Sequence, residues 1–173
     1  MPFAVTHVLF AIIAIDLYRD YFTKHKKYFT LHTLFIAGFA GLLPDIDILL
    51  SKFLGFFSIE FAHRIITHTP LFALIFLIPG FILWNKEKHK IAMYFFVTCF
   101  GILSHIFLDF ILASDSGSGI LFLYPLSALS WELGLLQSMT TLQMATLFAS
   151  LDAIILLLWL WHEEVKHKIS DFI

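Results

Sequence analysis

A single cysteine, Cys99, stands in 173 residues, and it lies in an apolar run with no second thiol to pair with. An intrachain disulfide is excluded, and function carried by cysteine chemistry is not expected. Charge is also scarce, at 14% of residues with a formal net charge of −2. That balance gives no case for a nucleic-acid partner, and the basic residues fall in short clusters between apolar runs instead of along one stripe. No His-Glu-x-x-His segment is present, which argues against a helical metalloprotease of that type. Internal repeats and long linkers are missing too, so residues 1–173 are expected to form one domain.

What the chain has in excess is apolar area. Hydrophobic residues make up 60% of it, 21 of them phenylalanine, against roughly 45–50% apolar content in soluble domains. The mean hydropathy is +0.88. So small a domain cannot hide that much aromatic surface from water, so lipid must be part of its solvent. The expected fold class is all-α, an integral membrane bundle of about five transmembrane helices. The apolar runs at 3–18, 31–50, 71–84, 91–112 and 142–161 are the candidate spans, where a crossing helix needs about 20 residues. The first run is not read as a signal peptide, because it lacks a basic leader and a small-residue cleavage site and is interrupted by His7 and Asp16.

Lysine and arginine alternate between loops. Arg19, Lys24, Lys26 and Lys27 form one group, Lys86, Lys88 and Lys90 the next, and Lys166 and Lys168 the last; Lys52 and Arg64 are the exceptions. The positive-inside rule then places the N-terminus outside and the C-terminus in the cytoplasm of a multi-pass inner-membrane protein. Residues 113–141 carry no lysine or arginine, and the apolar stretch 120–126 within them is expected to return to the outer interface.

With that topology the unusual polar residues fall at one end. His7, then Asp45 and Asp47, then His63, Arg64, Thr67 and His68, then His105 and Asp109 all lie toward the outer side, from four separate segments. Imidazole and carboxylate together are ligands for zinc, manganese or iron. His105 and Asp109, four apart, share one helix face. Asp45 and Asp47 follow the helix-breaking Pro44, where non-helical backbone can turn side chains into a polar cavity. Several ionisable groups at membrane depth call for compensation, and a divalent metal, zinc first and manganese second, is the expected compensator. The expected ligands are His7, Asp45, Asp47, His63, His68, His105 and Asp109. His25, His32, His89, His162 and His167 are read as ordinary cytoplasmic-side histidines, and Asp16 as an ion-pair partner of Arg19. Asp152, in mid-span, is open between a structural hydrogen bond and catalysis.

The ordered set Thr6-His7, Gly41-Leu42-Leu43-Pro44-Asp45-Ile46-Asp47, His63-Arg64-Ile65-Ile66-Thr67-His68-Thr69, Ser104-His105-Ile106-Phe107-Leu108-Asp109 and Tyr124-Pro125 resembles the family of inner-membrane metal-dependent hydrolases, also described as LexA-binding membrane-associated proteins. The family often has serine where Thr69 stands. The resemblance implies a metal-dependent hydrolase. The order His, Asp, His, His-x-x-x-Asp is also similar to part of the ligand series of zinc-dependent phospholipase C, although the later His-x-x-x-Glu pair of that series has no counterpart here.

The resulting expectation is hydrolysis of a phosphoester in a lipid or lipid-linked substrate at the outer face. Arg64 would hold the phosphate through its planar guanidinium, while Asp45 or Asp109 would orient or deprotonate water. Membrane lipids are the expected surroundings, and no protein partner is identified. The alternatives are a metal or proton transporter, which needs polar residues through the depth of the bundle, and a regulatory or scaffold protein using its basic cytoplasmic loops.

Overall fold

The computed structural model describes residues 4–24, 26–56, 65–112 and 119–168. It is all-helical, at 71% helix, with no strand among the described residues. The helices are α1 (Ala4–Leu17), α2 (Leu31–Ala40), α3 (Ile46–Gly55), α4 (Pro70–Leu74), α5 (Leu77–Asn85), α6 (His89–Leu112) and α7 (Thr141–His167).

Two of these, α6 with 24 residues and α7 with 27, are long and apolar enough to cross a membrane. The other three expected spans are built differently. α1 has 14 residues, about 21 Å at 1.5 Å per residue. The run 31–50 is broken into α2 and α3 by a turn at residues 41–45, and the run 71–84 into α4 and α5. The first break has a local cause. Pro44 has no amide hydrogen to give and its ring crowds the preceding turn, and the chain there makes single-turn bonds, Leu43 N to Ala40 O at 3.1 Å and Asp45 N to Leu42 O at 3.1 Å. α4 starts where Thr69 caps it, its hydroxyl accepting from the Phe72 amide, with Pro70 in the first turn. α7 opens on a reciprocal cap between Thr140 and Gln143.

α6 is the central element, packed on α1, α2, α4 and α5. Its N-terminal half meets α1 and α2 through Ala11, Ile12, Ile15, Ala37, Met93 and Val97. Its other half meets α4 through Ala73, Cys99, Ile102 and Ile106. The approach to α2 is close because residue 101 is glycine. A β-carbon there would lie 2.5 Å from the Ala37 carbonyl oxygen and 2.7 Å from the Ala40 β-carbon. After α6, residues 119–140 fold back with one isolated antiparallel bridge, Ile120 to Trp131. In this segment Phe122 stacks edge-on against Phe110, while Leu123, Leu126, Leu129, Leu133 and Leu135 stay exposed.

α7 is attached in a different manner. It is exposed over most of its length and touches α1 through polar groups. Thr6 donates its hydroxyl to Asp152 Oδ2 at 3.0 Å, and the Trp159 indole donates to Asp16 Oδ2 at 2.9 Å. Arg19 reaches Asp16 Oδ1 at 2.6 Å, Asp20 Oδ1 at 3.1 Å and Glu163 Oε1 at 3.3 Å. His162 and His167 close on Asp20 Oδ2 at 3.2 and 2.9 Å. The expected Asp16–Arg19 pair is thus one contact in a wider clamp. Lipid tails are as apolar as leucine, so buried hydrogen bonds and ion pairs are what can hold such a helix in place.

Burial pushes the Asp20 carboxyl upward, but His167, Arg19 and His162 overcome it and hold it at about 2, against an ordinary 3.8. Its contribution to stability is whole above the ordinary value and is lost as pH falls through the folded one. Asp20→Asn should lower the melting temperature at neutral pH in detergent, and the gap to wild type should close as pH falls from 3.8 toward 2. A gap that stays constant with pH would assign the loss to packing instead of charge.

Candidate metal centre

Four segments bring polar side chains to one buried place. His7 comes from the first turns of α1, Asp45 and Asp47 from the turn and the start of α3, Thr67 and His68 from just before α4, and His105 and Asp109 from α6. His7, Asp47, His68, His105 and Asp109 are all buried, and the Asp45 side chain keeps 24% of its surface open. His63 and Arg64 lie outside the described residues.

His105 shows how the ring orientations are fixed. Its Nδ1 is 2.7 Å from the Gly41 carbonyl oxygen. A carbonyl only accepts, so Nδ1 carries a proton, and in the neutral ring Nε2 presents a lone pair. The same logic fixes His68. Thr67 gives its single hydroxyl proton to Asp47 Oδ2 at 2.6 Å, so its contact with His68 Nδ1 at 3.1 Å has the ring nitrogen donating. His68 Nε2 is then unprotonated. Burial also pushes the His68 imidazole below its ordinary value, which keeps it neutral, although the neighbouring Asp45 pulls the other way.

The two lone pairs face each other. Nε2 of His68 and Nε2 of His105 are 3.3 Å apart, and with both rings neutral neither has a proton to give the other. Asp45 Oδ1 sits 3.5 Å from the first and 3.7 Å from the second. Asp109 Oδ2 sits 3.6 and 3.5 Å from the same two atoms. Each carboxylate oxygen therefore makes a triangle with the two ring nitrogens, and with both rings neutral a cation would relieve the repulsion among such acceptors. The spacing suits one. Ligands about 2.0–2.1 Å from a tetrahedral ion stand about 3.3–3.4 Å from each other, and both triangles, His68–His105–Asp45 and His68–His105–Asp109, have edges near that length. A triangle of protein ligands leaves a position open for water or substrate, as catalytic zinc sites do.

His7 extends the cluster. Its ring stacks on His105 with centroids 3.8 Å apart at 18°, and its Nε2 is 3.5 Å from Asp109 Oδ1. Among the described residues, neither His7 nitrogen has a hydrogen-bond partner, and neither has Asp45 Oδ1. Asp109 thus turns one oxygen toward the His68–His105 pair and the other toward His7, so a second ion could share its carboxylate. The groups His7, His105, Asp109 and Asp45, His68, His105 each have the spacing to hold a metal ion. Asp47 stands elsewhere. Its Oδ2 is 3.6 Å from His68 Nδ1, on the opposite side of the ring from Asp45, where it anchors Thr67. Sequence reasoning included Thr67 in the polar set without a role and missed the Gly41 carbonyl altogether, because a backbone acceptor has no signature in side-chain identity.

A further gathering of Asp16, Asp20, His162 and Glu163 has comparable spacing. There the Arg19 guanidinium, 2.6 Å from Asp16 Oδ1, already fills the place of a cation.

Helices long enough to cross a bilayer, an all-α fold and a buried histidine–aspartate centre define a membrane protein with a metal-type site. The particular family follows from the sequence: residues 1–169 match the YdjM inner membrane protein family, and the chain belongs to it. This bears out the resemblance carried by the five ordered motifs. No curated protein and no solved structure matches the chain.

Two variants test the geometry. Thr67→Val removes the group that fixes the His68 tautomer and should weaken metal binding about 10–100-fold with little loss of fold, while Thr67→Ser should retain it; isothermal titration with zinc reads the difference. Gly101→Ala should destabilise the protein by about 1–3 kcal/mol through overpacking and weaken metal binding too, because it drives Gly41 away from His105. Normal metal affinity in Gly101→Ala would show that the His105–Gly41 bond is dispensable.

Proposed function

We propose that this inner membrane protein is a metal-dependent hydrolase acting on a phosphoester of a lipid or lipid-linked substrate at the outer face of the membrane. The observation that carries the reading is the pair of buried triangles that His68 and His105 make with Asp45 and with Asp109, whose edges suit the ligands of a metal ion. His68, His105, Asp45 and Asp109 would hold the first ion, zinc before manganese, with His7 and the second oxygen of Asp109 available to another. A bound divalent ion lowers the pKa of water from about 15.7 to about 7 and polarises a phosphoryl oxygen.

The chain's own groups divide the remaining work. Asp45 is the member open to the surroundings, which suits it to orient an incoming water or to accept its proton where it is not committed to the ion. Asp47 and Thr67 hold His68 in register. Arg64, four residues before His68, is assigned to the phosphate for its bidentate geometry. The outer-face assignment rests on the lysine and arginine distribution between loops. Transport fits less well, because α1 presents Leu9, Ala11, Ile12 and Ile15, all buried, between His7 and the Asp16–Arg19 clamp, and a pathway needs polar groups through that depth.

The test is elemental analysis of detergent-purified protein, followed by a phosphoester screen. Wild type and the exposed-histidine control His32→Ala should each retain about one or two equivalents of zinc or manganese, while His105→Ala and Asp109→Ala should lose nearly all of it, as loss of a ligand demands. Metal-loaded wild type should then release phosphate or headgroup from phospholipids, and the two ligand variants should not. Equal metal in all four proteins would defeat the metal reading. Loaded protein inert on every phosphoester would defeat the hydrolase.

A further inference from the structure

α3 is built the wrong way round for a helix of a water-soluble protein. Ile46, Leu49, Leu50 and Phe53 recur at the spacing of one helical face, and all four are exposed, between 42% and 67%. Asp47, on another side of the helix, is the buried residue. An apolar stripe turned outward, with Lys52 also exposed, is the pattern of a helix lying in the membrane interface with its apolar face among acyl chains.

Beside this helix a groove of about 320 Å³ runs between α3, the end of α2 and the start of α1. Phe39, Leu42, Ile46, Leu49 and Ala4 line it, and Asp45 is the one polar residue on its wall. Asp45 is also the partly open member of the metal centre, His7, His68, His105 and Asp109 being buried. An apolar groove therefore borders the residue whose Oδ1 faces both His68 and His105.

We infer that this groove seats the alkyl chain of the substrate, which enters sideways from the bilayer past α3 and presents its phosphoester to the centre at Asp45. The inference rests on the reading of the centre as a phosphate-binding metal site and names the substrate class as amphiphiles whose chain stays in the membrane during reaction. Soluble phosphoesters would meet the same centre without using the groove. Leu49 and Ile46 are then specificity-determining residues and take no part in the chemistry.

The experiment compares hexylphosphonate with methylphosphonate by isothermal titration of the zinc-loaded full-length protein in detergent. Five extra methylenes gain affinity only where they leave water, so hexylphosphonate should bind about tenfold tighter or better. The double variant Ile46→Gln/Leu49→Gln should lose that preference with its methylphosphonate affinity unchanged, and Leu157→Gln, on the exposed side of α7, should keep it. Equal binding of the two phosphonates by wild type, no binding of the longer one, or a preference surviving in the double variant each overturns the inference. Titration of metal-stripped protein separates the two readings. If hexylphosphonate binds there as well as to the zinc form, and the double variant abolishes it, the groove holds the chain and the metal-centre reading is what fails.

Discussion

The bond from His105 Nδ1 to the Gly41 carbonyl, 2.7 Å long and fully buried, joins the central helix to the turn that breaks the chain between α2 and α3. It forms only because α6 and α2 approach to backbone contact at Gly101, and it sets both what His105 can do and where Asp45 stands. Without a broken helix at residues 41–45 the Gly41 carbonyl would be spent within the helix, and no acceptor would fix the imidazole. The turn, the close helix pair and the tautomer are therefore one device. Second-layer acceptors of this kind commonly orient metal-binding histidines and raise their basicity.

A bilayer changes which contacts can hold such a device together. Between apolar helices in lipid there is little hydrophobic driving force, so small residues and polar contacts decide association. The chain uses both. Gly101 with Ala37 and Ala40 bring α6 and α2 together, whereas α7 relies on Thr6–Asp152, Asp16–Trp159 and the Arg19 clamp. The Thr6 contact ties α7 to the turn of α1 that carries His7, so the one loosely packed long helix is pinned beside the centre near its middle and by the clamp near its C-terminal end.

Much of this was legible in the amino-acid sequence. Hydropathy gave the all-helical membrane class, and the four-residue spacing of His105 and Asp109 gave their shared face. Assigning each polar residue to an end of its run was enough to gather His7, Asp45, His68, His105 and Asp109, which the structure brings together. Two things were hidden. Apolar runs do not record where a helix breaks, so 31–50 and 71–84 read as single spans although each is two helices; Pro44 stands at the first break, and Pro79, with no amide hydrogen for the Ile75 carbonyl four residues back, follows the second. The Asp-x-Asp spacing could not separate its two acids either. The boundary between turn and helix at Ile46 sends Asp45 to the Nε2 side of His68 and Asp47 to the Nδ1 side, a division of roles that depends on backbone direction.

Charge explains why the two aspartates cannot be exchanged. Asp45, Asp47 and Asp109 bring three negative charges to a region where an uncompensated one costs at least about 2.5–3.5 kcal/mol on insertion scales. Asp47 is satisfied within the chain, by Thr67 and by the Nδ1 side of His68. Asp45 and Asp109 instead face the Nε2 atoms of His68 and His105. A divalent cation matches the charge of the pair, and the edges of each triangle that an acid makes with His68 and His105 suit one. Because the same ion would be absent from the unfolded state, its binding energy would add to the folding energy of the membrane-embedded chain. On that argument the acids, the paired lone pairs and the helix break belong together: each is unfavourable alone, and each becomes favourable when an ion occupies the point they share.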